Sequence, residues 1–265
     1  MPSLSTTLAL ALPLLAPVVS AHGHVSGIVA DGKWYTGWNA AMKYQNPIPA
    51  TAGWQADNLD NGFIAPSAFA SSDIICHKSA KNGALHIPVK AGSKVTFQWD
   101  TWPLTHKGPV IDYIAPCNGD CGTVSPSSLL FTKFAQGAWK SGNDPGEWVT
   151  DDLVKSNFSW TTTVPANLAP GNYVIRHEII ALHAASQNGG AQAYPQCVNF
   201  KVEGSGSAKL SGGVKATEFY KAADAGILFN LYSKFTGYSI PGPVLKTSFK
   251  KREEEKREHA REWST

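Results

Sequence analysis

A histidine left at an amino terminus by signal cleavage offers a metal two nitrogens, its ring and its α-amine. His22 stands in that position, directly after Val19-Ser20-Ala21, small residues of the kind a signal peptidase recognises. The amine, with an ordinary pKa of about 7.7–8.0, loses its proton readily to a metal. Paired imidazole and amine nitrogens in a tetragonal plane suit copper, and a third nitrogen would complete a T-shaped site. Every cleaved signal exposes some residue, so a terminal histidine needs company before it means a site. His106 lies in Trp102-Pro103-Leu104-Thr105-His106-Lys107-Gly108-Pro109-Val110, between one strand candidate ending at Trp99 and another starting at Val110. Loops at strand ends are where sites tend to be built. His183 closes the run His177-Glu178-Ile179-Ile180-Ala181-Leu182-His183, and Gln192-Ala193-Tyr194-Pro195-Gln196-Cys197 follows. In an extended chain Gln192 and Tyr194 share a face.

Strands must position these groups. The 265 residues include 24 Gly and 17 Pro with only 16% charged residues, a composition that fits strands joined by many turns better than a helical bundle. Apolar and polar residues alternate over residues 24–30, 94–99, 110–114, 172–182 and 198–202. Asp31-Gly32 joins the first of these to Lys33-Trp34-Tyr35 as a hairpin signal. Short strands spaced by turns imply a β-sandwich, and residues 139–154 leave room for a short helix.

The apolar run over residues 8–19 is too short for a membrane span, which needs about 20 residues, and no later segment comes closer. Residues 1–21 therefore read as a signal peptide and the mature chain as secreted to the extracellular space, with no membrane partner. Formal charge is +3, and no Lys/Arg stripe interleaved with aromatics appears, which excludes nucleic acid as a partner. In an oxidising compartment four cysteines favour disulfides, and three connectivities are open. Cys117 and Cys121 are close enough to close a small loop, which leaves Cys76 with Cys197; a zinc site lacks a second closely spaced pair. Asn157-Phe158-Ser159 is a glycosylation acceptor that export makes usable. From residue 250 to 262 six basic residues face five acidic ones with almost no apolar face, so residues 244–265 read as a charged, disordered tail.

Six motifs in order carry a resemblance: His22-Gly23-His24, Asp73-Ile74-Ile75-Cys76-His77, His106-Lys107-Gly108-Pro109-Val110, the run from Arg176 to His183, the run from Gln192 to Cys197, and Ile240-Pro241-Gly242-Pro243. Together they make residues 22–243 resemble a lytic polysaccharide monooxygenase of auxiliary activity family nine. The resemblance implies an all-β, immunoglobulin-like or fibronectin-like antiparallel sandwich with long loops and short helices. It implies one copper ion per chain held by His22 and His106, with Tyr194 axial and His183 and Gln192 hydrogen-bonding an oxygen species there. It also implies C1 and/or C4 hydroxylation of cellulose or a related β-glucan by a monomer, with an external electron donor and O2 or H2O2, and Tyr238 stacking on sugar rings.

Two rivals stand beside that reading. A glycosidase needs two carboxylates flanking one bond, and Asp112, Glu147 and Glu178 are present without an evident pair. A non-catalytic copper- or carbohydrate-binding protein would have no need of oxygen-directed donors such as His183 and Gln192. His24, His77, His86 and His177 read as packing or backbone-bonding residues in or beside strands, His177 sharing by parity the face of His183, and His259 lies in the tail.

Overall fold

The computed structural model describes residues 23–59, 62–247 and 249. The signal segment, His22 and the tail from residue 250, His259 included, lie outside them. The described chain forms β1 (Val25–Ala30), β2 (Lys33–Thr36), β3 (Ile87–Lys90), β4 (Lys94–Trp99), β5 (Val110–Pro116), β6 (Thr132–Gly137), β7 (Trp139–Ser141), β8 (Glu147–Trp148), β9 (Ser159–Thr163), β10 (Gly171–Ala181) and β11 (Gln192–Glu203). One sheet runs β2-β1-β4-β9, the second β3-β11-β10-β5-β6, and β7-β8 is a separate hairpin. All pairs are antiparallel except β3 beside β11. Asp31 and Gly32 both hold positive φ, 47° and 75°, the mirror-image two-residue turn that the strand twist selects between β1 and β2.

Ile28, Phe97, Trp99, Ile175, Ile179 and Phe200 fill the space between the sheets. The long loops build a second apolar layer on the other face of the five-stranded sheet, where Trp54, Ile74, Tyr113, Phe131, Phe219 and Tyr220 pack. β5 and β10 are therefore buried on both faces. Polar residues that fall there must pair. On the inter-sheet side His177 Nδ1 lies 2.7 Å from Asp112 Oδ1, and Trp160 Nε1 donates to the other carboxylate oxygen at 2.8 Å. On the loop side Arg176 holds Glu178 through two bonds of 2.7 Å. The same guanidinium donates to the carbonyls of Ile74 and Ile75, at the end of α1 (Asp73–Cys76). Tyr220 donates to Glu178, and Tyr113 and Tyr220 hydroxyls bond at 2.6 Å. Lys133, almost wholly buried, donates to the Pro241 carbonyl at 2.8 Å, and burial pushes its pKa down to about 8.

Two expectations change here. His77 is not beside a strand: α1 is too short for helical periodicity to reveal, and His77 terminates it at φ 87°. The packed body also runs past residue 243. Lys246 N–H donates to the Lys133 carbonyl at 2.9 Å, and Phe249 is buried among the inter-sheet residues.

Cys76–Cys197 and Cys117–Cys121 are disulfides with sequence separations of 121 and 4. In the chain-entropy picture the long loop contributes about 5 kcal/mol and the short one about 2. Calorimetry on Cys76→Ser/Cys197→Ser and on Cys117→Ser/Cys121→Ser should therefore find the first pair lowering Tm by roughly twice as much as the second.

Candidate active site at one pole of the sandwich

β5 begins, β10 ends and β11 begins at the same pole, because Val110 pairs with Ile179 and Ala181 with Gln192. The loop from β4 to β5 carries His106 there, and the chain leaving β10 carries His183. Their imidazole rings stack with centroids 3.8 Å apart and planes at 29°.

Several ties fix the His106 loop. His106 N–H donates to the Pro103 carbonyl at 3.0 Å, and Trp102 Nε1 donates to the His106 carbonyl at 2.9 Å. Thr105 Oγ1 lies 3.1 Å from His106 Nδ1, so that ring nitrogen is engaged inside the loop. The Lys107 carbonyl accepts from Leu182 N–H at 2.9 Å, which joins the loop to the residue before His183. Lys107 Nζ bonds Asp151 at 2.6 Å and Gly108 N–H donates to Thr150 Oγ1, both in α2 (Val149–Lys155). Gly108 presses against β10 so closely that a Cβ there would stand 1.9 Å from the Ile180 carbonyl oxygen. Gly108→Ala should therefore push the loop off the sheet and cost roughly 1–3 kcal/mol, seen as a lowered thermal midpoint.

Trp102 forms the floor beneath both halves of the site. Its ring meets His106 edge-on at 6.0 Å and Tyr194 edge-on at 5.1 Å. Behind it, Trp99 packs at 5.3 Å and donates Nε1 to His177 Nε2 at 2.9 Å, linking the site to the core. Tyr194 is buried, and its hydroxyl donates to Gln192 Oε1 at 2.7 Å. Burial raises the Tyr194 pKa far above that of an ordinary phenol, so it stays protonated.

His106, His183, Gln192 and Tyr194 thus meet at one pole. The chain also approaches it from its amino-terminal side: a Cβ on Gly23 would lie 2.1 Å from the Thr101 carbonyl oxygen, and His24 N–H donates to Asp100 Oδ1 at 2.8 Å. Tyr238 belongs to an aromatic cluster with Trp148 and Phe229. It is half-buried between Trp148 and Phe229, and its hydroxyl turns inward to the Gly226 carbonyl at 2.6 Å, leaving only ring surface to offer. Sequence reasoning missed Tyr232 and Leu228, exposed on the segment that bonds through Phe229 N–H to Ala185, and Leu104 two residues before His106. No periodicity marks them, because that segment has no regular structure. His177 and His183 do not share a face, since β10 ends at Ala181 and strand parity stops there. Asn157 sits exposed in a left-handed turn after α2.

Of the three carboxylates a glycosidase could have used, Glu147 is exposed on β8 and the other two are tied up in the core. Asp112 and Glu178 are fully buried, one against His177 and the other against Arg176, on opposite faces of the sheet. Among the described residues no cluster of three His, Cys, Asp or Glu converges on a cation. His106 beside a neutral phenol fits copper once further nitrogen donors join it, with His183 placed next to it as a hydrogen-bonding group.

The model of Auxiliary Activity family 9, formerly GH61, matches residues 22–238. This chain belongs to auxiliary activity family 9. AA9 family lytic polysaccharide monooxygenase F of Malbranchea cinnamomea is 54% identical over 231 residues, covering 87% of this chain and 93% of that protein. Monooxygenase I of Botryotinia fuckeliana is 53% identical, covering 87% of each chain. Among solved structures, the extended catalytic domain of H. jecorina LPMO9A superposes with a TM-score of 0.82 at 48% identity, covering 87% of this chain and 94% of that one. Cel61B of Hypocrea jecorina gives 0.81 at 41% identity, covering 85% and 100%. The AA9 fold is thus the sandwich described above.

Proposed function

We propose that this chain is a secreted monomer that cleaves β-1,4-glucan, cellulose first among its substrates, by oxidising C1 and/or C4 of the glycosidic linkage with an external electron donor and O2 or H2O2. The activity follows from the family, which is copper-dependent and oxidises polysaccharides. The observation that carries the assignment to this pole is the stacking of His106 and His183 beside the Tyr194–Gln192 pair.

One copper ion would be held by the His106 ring and by the amine and ring of His22, set free by cleavage after residue 21. The approach of Gly23 to Thr101, in the loop that carries His106, supports that donor set. Bound there, copper supplies the one-electron chemistry that activates O2 or H2O2 for C–H oxidation.

The chain's own residues do the rest. Tyr194, a protonated phenol, would offer the metal a weakly donating oxygen, and its hydroxyl donates a hydrogen bond to Gln192 Oε1. That bond fixes the Gln192 amide, so its NH2 group faces the other way as a donor. His183, stacked on His106, is the second donor. Placed donors beside oxygen that gains negative charge stabilise it without reorganisation. The ring face of Tyr238, with Tyr232, Leu104 and Leu228, offers the apolar surface on which a sugar chain would rest, and Asn157 would carry an N-glycan.

Incubation with copper, ascorbate and a panel of cellulose, xyloglucan and glucomannan tests this reading. Aldonic-acid ends would assign C1 attack and 4-ketosugar ends C4 attack. Oxidised products from the other glucans but none from cellulose would overturn the substrate assignment.

A further inference from the structure

The outer face of the four-stranded sheet carries a row of side chains that the pole does not use. Trp34 on β2, Val29 on β1, Thr96 on β4 and Thr161 on β9 are register partners, so they stand side by side at the strand spacing of about 4.8 Å. They point outward because their neighbours Ile28, Tyr35, Phe97 and Trp160 point into the sandwich. Trp34 lies flat rather than upright: a Cβ on Gly27 would come within 2.0 Å of two carbons of its ring. One ring face rests on the sheet, and 52% of the residue is exposed. Thr96 and Thr161 hydroxyls bond at 2.8 Å. The next row is Thr36, Gly27, Gln98 and Ser159, and neither row holds a charge.

Cover for Gly27 explains part of this, since an aromatic laid across a strand glycine stabilises a sheet. It does not explain why β4 and β9 fill these two rows with neutral hydroxyl and amide groups, Thr96, Gln98, Thr161 and Ser159, where exposed sheet faces normally carry Lys and Glu. We infer that this face is a second, non-catalytic binding site for a β-1,4-linked glucan chain. A sugar ring has an apolar C–H face that would stack on Trp34 and a rim of hydroxyls that neutral donors and acceptors satisfy. The two rows themselves offer a charged ligand no partner; the nearest charge on this face of β4 is Lys94, one row beyond Thr96 and beside Thr163. A protein partner would need a broader apolar centre than one ring among threonines. β4 runs from this face through Asp100 into the loop carrying His106. A chain held on the sheet would therefore tether the enzyme while the pole works, raising its effective concentration on the substrate.

The inference rests on the cellulose reading above, and the two fail differently. Oxidised products from the parent protein report that reading, whereas adsorption of variants reports this one. Adsorption of the copper-loaded full chain to microcrystalline cellulose is measured beside its oxidation of reductant without polysaccharide. Trp34→Ala should lower the partition coefficient by about tenfold. Thr161→Glu should lower it too, Trp34→Tyr should retain it, and reductant oxidation should not change in any of them. Should Trp34→Ala fail to fold without its cover of Gly27, Thr161→Glu, three strands away and exposed, still reads the site. Parental adsorption by Thr161→Glu, and by Trp34→Ala where that variant folds, overturns the inference. So does a Trp34 effect that emerges only in an Asn157→Gln background, which would mean that the chain's own glycan covers the face.

Discussion

His106→Ala should weaken copper binding roughly 1,000-fold, because residues that merely orient a ligand are already worth up to about 100-fold and this change removes a donor outright. The loop around it should survive the change. Its shape comes from the Trp102 indole on the His106 carbonyl, the Leu182–Lys107 bond and the Lys107–Asp151 pair, none of which uses the imidazole. Thermal unfolding of the metal-free variant should accordingly stay close to the parent while calorimetric copper titration collapses. A variant that kept tight binding would remove His106 from the donor set and leave its stacking on His183 as packing only.

Arg176→Met should be the most destabilising single change in the core. It leaves the Glu178 carboxylate fully buried without its bidentate partner and strips the donors from the Ile74 and Ile75 carbonyls. Breaking a buried pair in this way costs about 3–5 kcal/mol, or a fall in Tm of about 10 °C for a domain of this size. Replacing both partners, as Arg176→Met/Glu178→Leu, should recover much of that loss, because the isolated charge is gone. A single variant within about 2 °C of the parent would mean that water reaches Glu178 and screens it.

The legible parts of this chain are those where one local rule decides the outcome. Asp31-Gly32 demanded a mirror-image turn, and residues 94–99 alternate because β4 has one face in the core and one in water. The rule weakened where the five-stranded sheet is buried on both faces. β11 extends from Gln192 rather than Val198, since Gln192, Pro195 and Gln196 break the apolar pattern while the ladder to β10 continues. Arg176 and Glu178 look like surface residues in a list and become core residues only when the loops fold over them.

The site divides in the same way. Gln192 and Tyr194 were placed together by strand parity, and their bond of 2.7 Å follows from it. His183 lies beyond the end of β10, so its stacking on His106 depends on a loop path that no periodicity encodes. Tyr232 and Leu228 were invisible for the same reason. The boundary at residue 243 fell short because Phe249 is a single apolar residue ahead of a long charged run, and composition weighs the run.

The most direct test is mass spectrometry of the secreted protein after incubation with copper, ascorbate and swollen cellulose, reading the amino terminus and the soluble products together. Oligosaccharides with aldonic-acid or 4-ketosugar ends, released by a chain that begins at His22, are the expected result. Oxidised products from a chain that carries an extra residue ahead of His22, or only unoxidised sugars from the chain that begins there, would contradict it.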